Sequence, residues 1–315
     1  MRLHPELAEM LRKRAALNLA PYHAGTPQEA RLSYAQAQAA MPADRGAPVH
    51  SIEEPRVKVA GGEIAVRVFH PTAEPAAGTI LYLHGGGWVI GTLDGFTPVC
   101  RELAAASGLT VASVDYRLAP EHPFPGPVED AYAALKWARE TFSGLLVVMG
   151  DSAGANLAAA TALKAREENG PAIALQVLVY PVTDADFSRP SYVELGTGAY
   201  QLTIEDMRWF WSHYVPDPDQ RRHPLAAPLH AEDLSGLPPA IVVIAGCDPL
   251  RDEGTAYAER LAQAGVPTQV ELFEHMIHGF FTMVDLIGPA NAAVRQIGED
   301  IAARVSALNR RSGEG

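Results

Sequence analysis

The sequence predicts an α/β fold, a mostly parallel sheet with helices on both of its faces. Short apolar runs recur at Thr79 to Leu83, Leu109 to Val114, Leu145 to Met149, Ala174 to Tyr180, Ala240 to Ala245 and Thr268 to Phe273. Segments of helical period lie between most of them, and strands that alternate with helices build a parallel sheet buried on both sides. With 315 residues, 48% of them hydrophobic, the chain has enough apolar material for a sizeable core.

The elements follow in chain order. Residues 1–48 are Ala-rich, with Leu3, Leu7, Met10, Leu11 and Leu17 at helical spacing and breaks at Pro21, Pro27 and Pro42, which predicts a helical N-terminal segment. Val57 to Val59 and Ile64 to Phe69 flank Gly61-Gly62, the signal of a β-hairpin, and bring the number of strand-like runs to eight. An Ala-rich helix is expected from Ala153 to Glu168. Residues 187–238 break the rhythm with Pro-containing turns and an aromatic helical stretch from Met207 to Tyr214, and are expected to cap the active edge of the sheet. The expected organisation is therefore an N-terminal cap segment (1–48), a catalytic body (49–186 and 239–315) and a cap insertion (187–238). No repeat or linker divides the chain.

A net charge of -12 and a pI of about 5.4 argue against nucleic acid and against stable membrane association, since no basic run is longer than Arg12-Lys13-Arg14. Cys100 and Cys247 are too few for a disulfide framework and too far apart for a CxxC metal site, and are expected to be buried thiols. The N-terminal residues lead into a charged helical pattern without an apolar leader, and no stretch reaches the ~18 apolar residues of a membrane span. A soluble, cytoplasmic protein is expected.

Gly150-Asp151-Ser152-Ala153-Gly154 follows one apolar strand and opens a helix, the G-x-S-x-G pattern in its strand–turn–helix context. The sharp turn lifts Ser152 out at a helix N-terminus, and the Ala153 N–H and the helix dipole there favour negative charge on a substrate carbonyl oxygen. His84-Gly85-Gly86-Gly87-Trp88 follows the strand ending at Leu83 and matches the HGGG type of oxyanion loop. A dinucleotide fingerprint fails on spacing, because its third glycine would fall at Ile90. His84 is expected to fix the loop through a ring hydrogen bond and is assigned no chemical role.

Three aspartates compete as the acid. Asp248 stands in a tight turn directly after the strand Ile241 to Ala245, at the edge where open α/β sheets place ligands, and is preferred. Asp184 is the runner-up, with turn-fixing as its commoner role, and Asp252 is expected to cap its helix. Of eleven histidines only His275 and His278 fall between the last strand and the last helix. His278, next to Gly279, is preferred as base, with His275 in reserve.

The resulting order, Ser152, Asp248, His278, is that of α/β-hydrolases and not that of chymotrypsin or subtilisin. The motifs at 84–88 and 150–154, together with Asp248-Pro249-Leu250-Arg251-Asp252-Glu253, His278-Gly279-Phe280 and Asp115-Tyr116-Arg117-Leu118-Ala119-Pro120-Glu121, resemble the hormone-sensitive lipase family of microbial (type IV) carboxylesterases. The match runs from about Val57 to the C-terminal helix without a departure at a catalytic position. It implies an α/β-hydrolase fold with an eight-stranded sheet and a helical cap, and a serine carboxylesterase that needs no cofactor or metal. It also implies oxyanion donors from Gly86 with a neighbouring glycine, Gly85 or Gly87, and from Ala153. Family habit points to a homodimer, through the edge strand Thr268 to Phe273.

Met207, Phe210, Trp211 and Tyr214 share one helical face, and packing of the cap accounts for most of them. Trp211 and Tyr214, with Trp88, are taken as candidates to line an acyl pocket. An enclosed site would favour small esters of short to medium acyl chain over long-chain triglycerides. Two other readings stay open: a binding module on the same fold, against which the complete set of serine, acid and histidine argues, and an amidase or peptidase, which motif spacing does not separate from an esterase.

Overall fold

The computed structural model describes residues 3–17, 19–42 and 44–313, so Met1, Arg2, Asn18 and Ala43 of the N-terminal segment lie outside the described residues. That segment folds as α1 (Pro5–Ala15) and α2 (Pro27–Ala39). Proline at the first helical position suits both, because it has no N–H to leave unpaired. In α2 a capping box joins Thr26 and Glu29 reciprocally.

There follow β1 (Ser51–Glu53), β2 (Arg56–Val59), β3 (Gly62–His70), β4 (Gly78–Leu83), α3 (Leu93–Ser107), β5 (Thr110–Val114), α4 (Gly126–Thr141), β6 (Leu145–Asp151), α5 (Ala153–Glu167) and β7 (Leu175–Val179). The chain then runs through α6 (Pro190–Leu195), α7 (Ile204–Tyr214), β8 (Ala240–Cys247), α8 (Arg251–Gln263), β9 (Thr268–Ile277) and α9 (Gly288–Gly313). The strand order is β1-β3-β5-β4-β6-β7-β8-β9, with β2 pairing β3 off this path. All pairings from β5 to β9 are parallel, and those of β1, β2 and β3 are antiparallel. The sheet thus has nine strands among the described residues, one more than the eight runs legible in the sequence. The addition is β1, a three-residue strand without an apolar run, held by its register on β3.

The central strands alternate sides in the manner of a sheet buried on both faces. Ile80 and Tyr82 of β4 pack with α3 and α9, whereas Leu81 and Leu83 pack with α4 and α5. β9 forms an edge and leaves Val270 and Leu272 exposed. Cys100 and Cys247 are both buried. No helix among the described residues is long and apolar enough to cross a membrane.

The N-terminal segment is tied across the carboxyl edge of the sheet. His23 lies against α7, its N–H and ring Nδ1 at 3.1 and 2.8 Å from Asp206 Oδ1. Arg31 of α2 donates to the carbonyls of Val89 and Ala119, both at 2.8 Å, and pairs with Glu121. Segments distant in sequence therefore share one edge with the ends of β6, β8 and β9.

Candidate active site

At the end of β6 the chain turns abruptly into α5. Ser152, at the turn, has φ 55° and ψ -120°, a conformation that costs a non-glycine residue energy and is held by its surroundings. Its N–H donates to Val179 O at 2.9 Å, and the buried Asn156 one turn on donates to the carbonyls of Val182 and Ala226. A side chain on Gly154 would put its Cβ 1.9 Å from Leu83 O, so only glycine lets α5 start this close to β4.

Ser152 Oγ lies 2.9 Å from Nε2 of His278, whose Nδ1 lies 2.7 Å from Oδ2 of Asp248. Asp248 is fully buried, and its second oxygen accepts the Leu250 N–H at 2.9 Å. The α6 segment braces that turn: Ser191 donates its hydroxyl to Pro249 O at 2.6 Å and its N–H to Asp252 at 2.8 Å. Asp252 lies in the first turn of α8 and accepts from a neighbouring element instead of capping the helix, whose N-cap residue, Leu250, makes no side-chain cap bond. A hydroxyl, an imidazole and a buried carboxylate in series can pass a proton from oxygen to ring while the carboxylate holds the ring tautomer.

The alternatives are placed elsewhere. Asp184 is engaged by Arg189 at 2.6 Å and His230 at 2.8 Å, and accepts the Ala185 N–H. His275 is exposed within β9, which runs four residues beyond Phe273 and carries it away from Ser152.

His84 is buried, stacked between Tyr116 and Phe96, with Nδ1 2.7 Å from Gly85 O. Burial pushes its imidazole down to about 4, so the ring is neutral in ordinary conditions. Gly85, a candidate oxyanion donor, is corrected by the structure: its N–H is committed to Asp151 Oδ1 at 2.9 Å. The N–H groups of Gly86, Gly87 and Ala153 donate to no protein acceptor among the described residues.

Gly86, Gly87 and Ser152 open into a cavity of about 600 Å³ walled by Tyr22, Tyr34, Met207 and Phe210 among others. Trp88, Trp211 and Tyr214 do not line it. Trp88 stacks on Tyr214 with ring centres 4.0 Å apart and meets Trp211 at 5.1 Å, and all three are completely buried. The aromatic face of α7 divides: Met207 and Phe210 face the cavity, and Trp211 and Tyr214 join α7 to the body. Among the described residues no group of three or more His, Cys, Asp and Glu is arranged to hold a metal ion.

Two neighbours of the site escaped the sequence reading. Tyr180 has φ 36° and sets its ring 4.7 Å from that of His278; its signal was a Tyr-Pro pair at a strand end. Asp151 stood inside the serine motif, but its partners come from β4 and the glycine loop.

The sequence profile of a family described as alpha/beta hydrolase fold matches residues 80–282. The carboxylic ester hydrolase LipN of Mycobacterium tuberculosis is 41% identical over 257 residues, 78% of this chain and 68% of that protein. The ethyl acetate hydrolase of Pseudomonas putida is 36% identical over 314 residues, 95% of this chain and 98% of that one. Among solved structures, a hyperthermophilic esterase from Pyrobaculum calidifontis superposes with a TM-score of 0.91 at 38% identity, covering 96% of this chain and 99% of that chain.

Proposed function

The chain belongs to the alpha/beta hydrolase fold family, and from that premise we propose that it is a carboxylesterase acting through Ser152, His278 and Asp248. The observation that carries this reading is the position of one imidazole between the Ser152 hydroxyl and the buried Asp248 carboxylate, at 2.9 and 2.7 Å. The names of its relatives as ester hydrolases support the same bond class.

His278 takes the Ser152 proton as Oγ attacks the ester carbonyl, and Asp248 stabilises the imidazolium. The N–H groups of Gly86, Gly87 and Ala153 receive the oxyanion, each worth about 3 kcal/mol by analogy with other acyl-transfer sites. The imidazolium protonates the departing alkoxide, and an acyl-enzyme remains. Water, deprotonated by His278, attacks the acyl-enzyme, and collapse of the second oxyanion releases the acid and restores Ser152. No metal or cofactor enters these steps.

The preferred substrates are small esters of short to medium acyl chain. A cavity of about 600 Å³ roofed by the N-terminal segment and α7 suits them better than long-chain triglycerides. In this reading residues 1–48 and 187–238 form the cap over a catalytic body of 49–186 and 239–315.

The test is hydrolysis of p-nitrophenyl esters of graded acyl length by the folded wild type and by Ser152→Ala. Turnover that peaks at short chains and disappears in the variant is expected. Folded wild-type protein without turnover, or undiminished activity in the variant, sinks the reading.

A further inference from the structure

One buried carboxylate in the cavity wall has no task in the steps above. Asp151 is 3% exposed, and its Oδ1 accepts the Tyr82 O–H at 2.7 Å and the Gly85 N–H at 2.9 Å. The second of these bonds joins the two stretches whose spacing defines an oxyanion site. One is the turn carrying the Ser152 hydroxyl and the Ala153 N–H; the other is the loop carrying the N–H groups of Gly86 and Gly87. The remaining ties of the loop lead elsewhere: Tyr116 O–H to His84 O at 2.7 Å, Arg31 to Val89 O, and Ala119 N–H to Trp88 O at 2.9 Å. A Cβ on Gly85 would lie 2.4 Å from the other Asp151 oxygen, so loop and carboxylate are in direct contact.

We propose that Asp151 is a positioning residue whose carboxylate, by holding the Gly85 N–H, sets the distance from the Ser152 hydroxyl to the Gly86 and Gly87 donors. This inference rests on the esterase reading above. It gives Gly85 a task as well: its N–H anchors the loop so that the next two face the cavity.

The groups facing Asp151 are Tyr34 of α2, Tyr82 of β4, Cys100 of α3, Tyr116 beyond β5, Tyr180 beyond β7 and His278 beyond β9. Burial pushes the four tyrosines and the thiol further up, so they stay neutral through any useful assay range. Of these groups only His278 can meet Asp151 with a positive charge. Burial also pushes the Asp151 carboxyl up to about 6, against the pull of its bonds from Tyr82 and Gly85. The tether is therefore a charge-assisted bond above that pH and a weaker neutral one below it.

Wild type, Asp151→Asn and Asp151→Ala are compared for kcat, for KM and for inhibition by an aryl trifluoromethyl ketone, whose adduct with Ser152 places an oxyanion in the hole. Asp151→Ala is expected to lose about 100-fold in kcat/KM, almost wholly in kcat, and to lose ketone affinity by the same factor. Asp151→Asn keeps an oxygen acceptor for Gly85 and is expected to recover to within about tenfold of wild type. A folded alanine variant that binds the ketone as tightly as wild type overturns the proposal, as does an asparagine variant as impaired as alanine. Should alanine fail to fold, the asparagine variant decides alone. The ratio of wild-type to asparagine ketone affinity rises through pH 6 if the carboxylate tether acts, and a ratio flat across pH 5 to 8 overturns it. Wild type that neither turns over esters nor binds the ketone removes the esterase reading itself, an outcome separable from either of these.

Discussion

The ring of Phe210 occupies the space a side chain on Gly87 would need: a Cβ built there falls 2.2 Å from the ring. Gly87 also sits at φ 57°, where a side chain is strained whatever the space. Gly87→Ala must therefore displace either the Phe210 ring or the loop. Its kcat/KM on a short-chain ester should fall by about 100-fold or more with the fold retained, as read by steady-state kinetics beside circular dichroism. Activity within threefold of wild type would detach Gly87 from the hole.

Phe210 and Trp211 are adjacent in α7 and should respond oppositely to truncation. Phe210→Ala opens the cavity wall and is expected to move the best p-nitrophenyl ester toward longer acyl chains. Trp211→Ala empties a buried edge-to-face contact with Trp88 instead, costing about 3–5 kcal/mol in denaturant unfolding with the acyl profile unchanged. A profile that shifts in Trp211→Ala but not in Phe210→Ala would reverse the assignment.

Asp248→Asn keeps the shape of the turn but presents an amide to His278 Nδ1, favouring the wrong ring tautomer. A loss of about 10⁴-fold in kcat with KM little altered is expected, by analogy with serine hydrolases. The decisive comparison is with Asp184→Asn, whose carboxylate serves Arg189 and His230, and which should keep most of its turnover.

Two buried groups should make stability depend on pH with opposite signs. Asp151 is raised from 3.8 to about 6, so between about pH 4 and 6 the native state holds a proton that the unfolded chain has lost. Its stabilising contribution is complete below pH 4 and falls away by about 3 kcal/mol as pH rises through 6. His84 is lowered from 6.5 to about 4, so its contribution is present above pH 6.5 and is lost, by a similar amount, as pH falls through 4. The two nearly cancel in the wild type between pH 4 and 6, and Asp151→Asn uncovers the histidine alone. Chemical denaturation at pH 4.5 and 7 should show the asparagine variant gaining on wild type at the higher pH; an equal difference at both would contradict this.

Much of the fold is written in local patterns. The run Ala240 to Ala245 is buried throughout and the run Leu145 to Met149 from its second residue onward, and continuous apolar stretches of that length, separated by helical periods, leave few arrangements except a parallel sheet. β1 escaped because three residues, Ser-Ile-Glu, carry no periodicity; its backbone pairing to β3 makes it a strand.

Ser152, Asp248 and His278 were legible because each sits beside a strand end, and a parallel sheet delivers its strand ends to one edge. The sequence by itself therefore determined the fold class and nominated three side chains that the folded chain brings within 2.9 Å of one another in series. Tertiary structure alone decided the rest. Phe210 and Trp211 are equally aromatic and adjacent, yet a turn of roughly 100° per residue sends one to the cavity and the other to Trp88. Gly85, Gly86 and Gly87 are identical letters, and only the carboxylate beneath the first separates an anchored N–H from two free ones. Local patterns specify which backbone forms; which way a given side chain or N–H faces depends on partners 60 or more residues away.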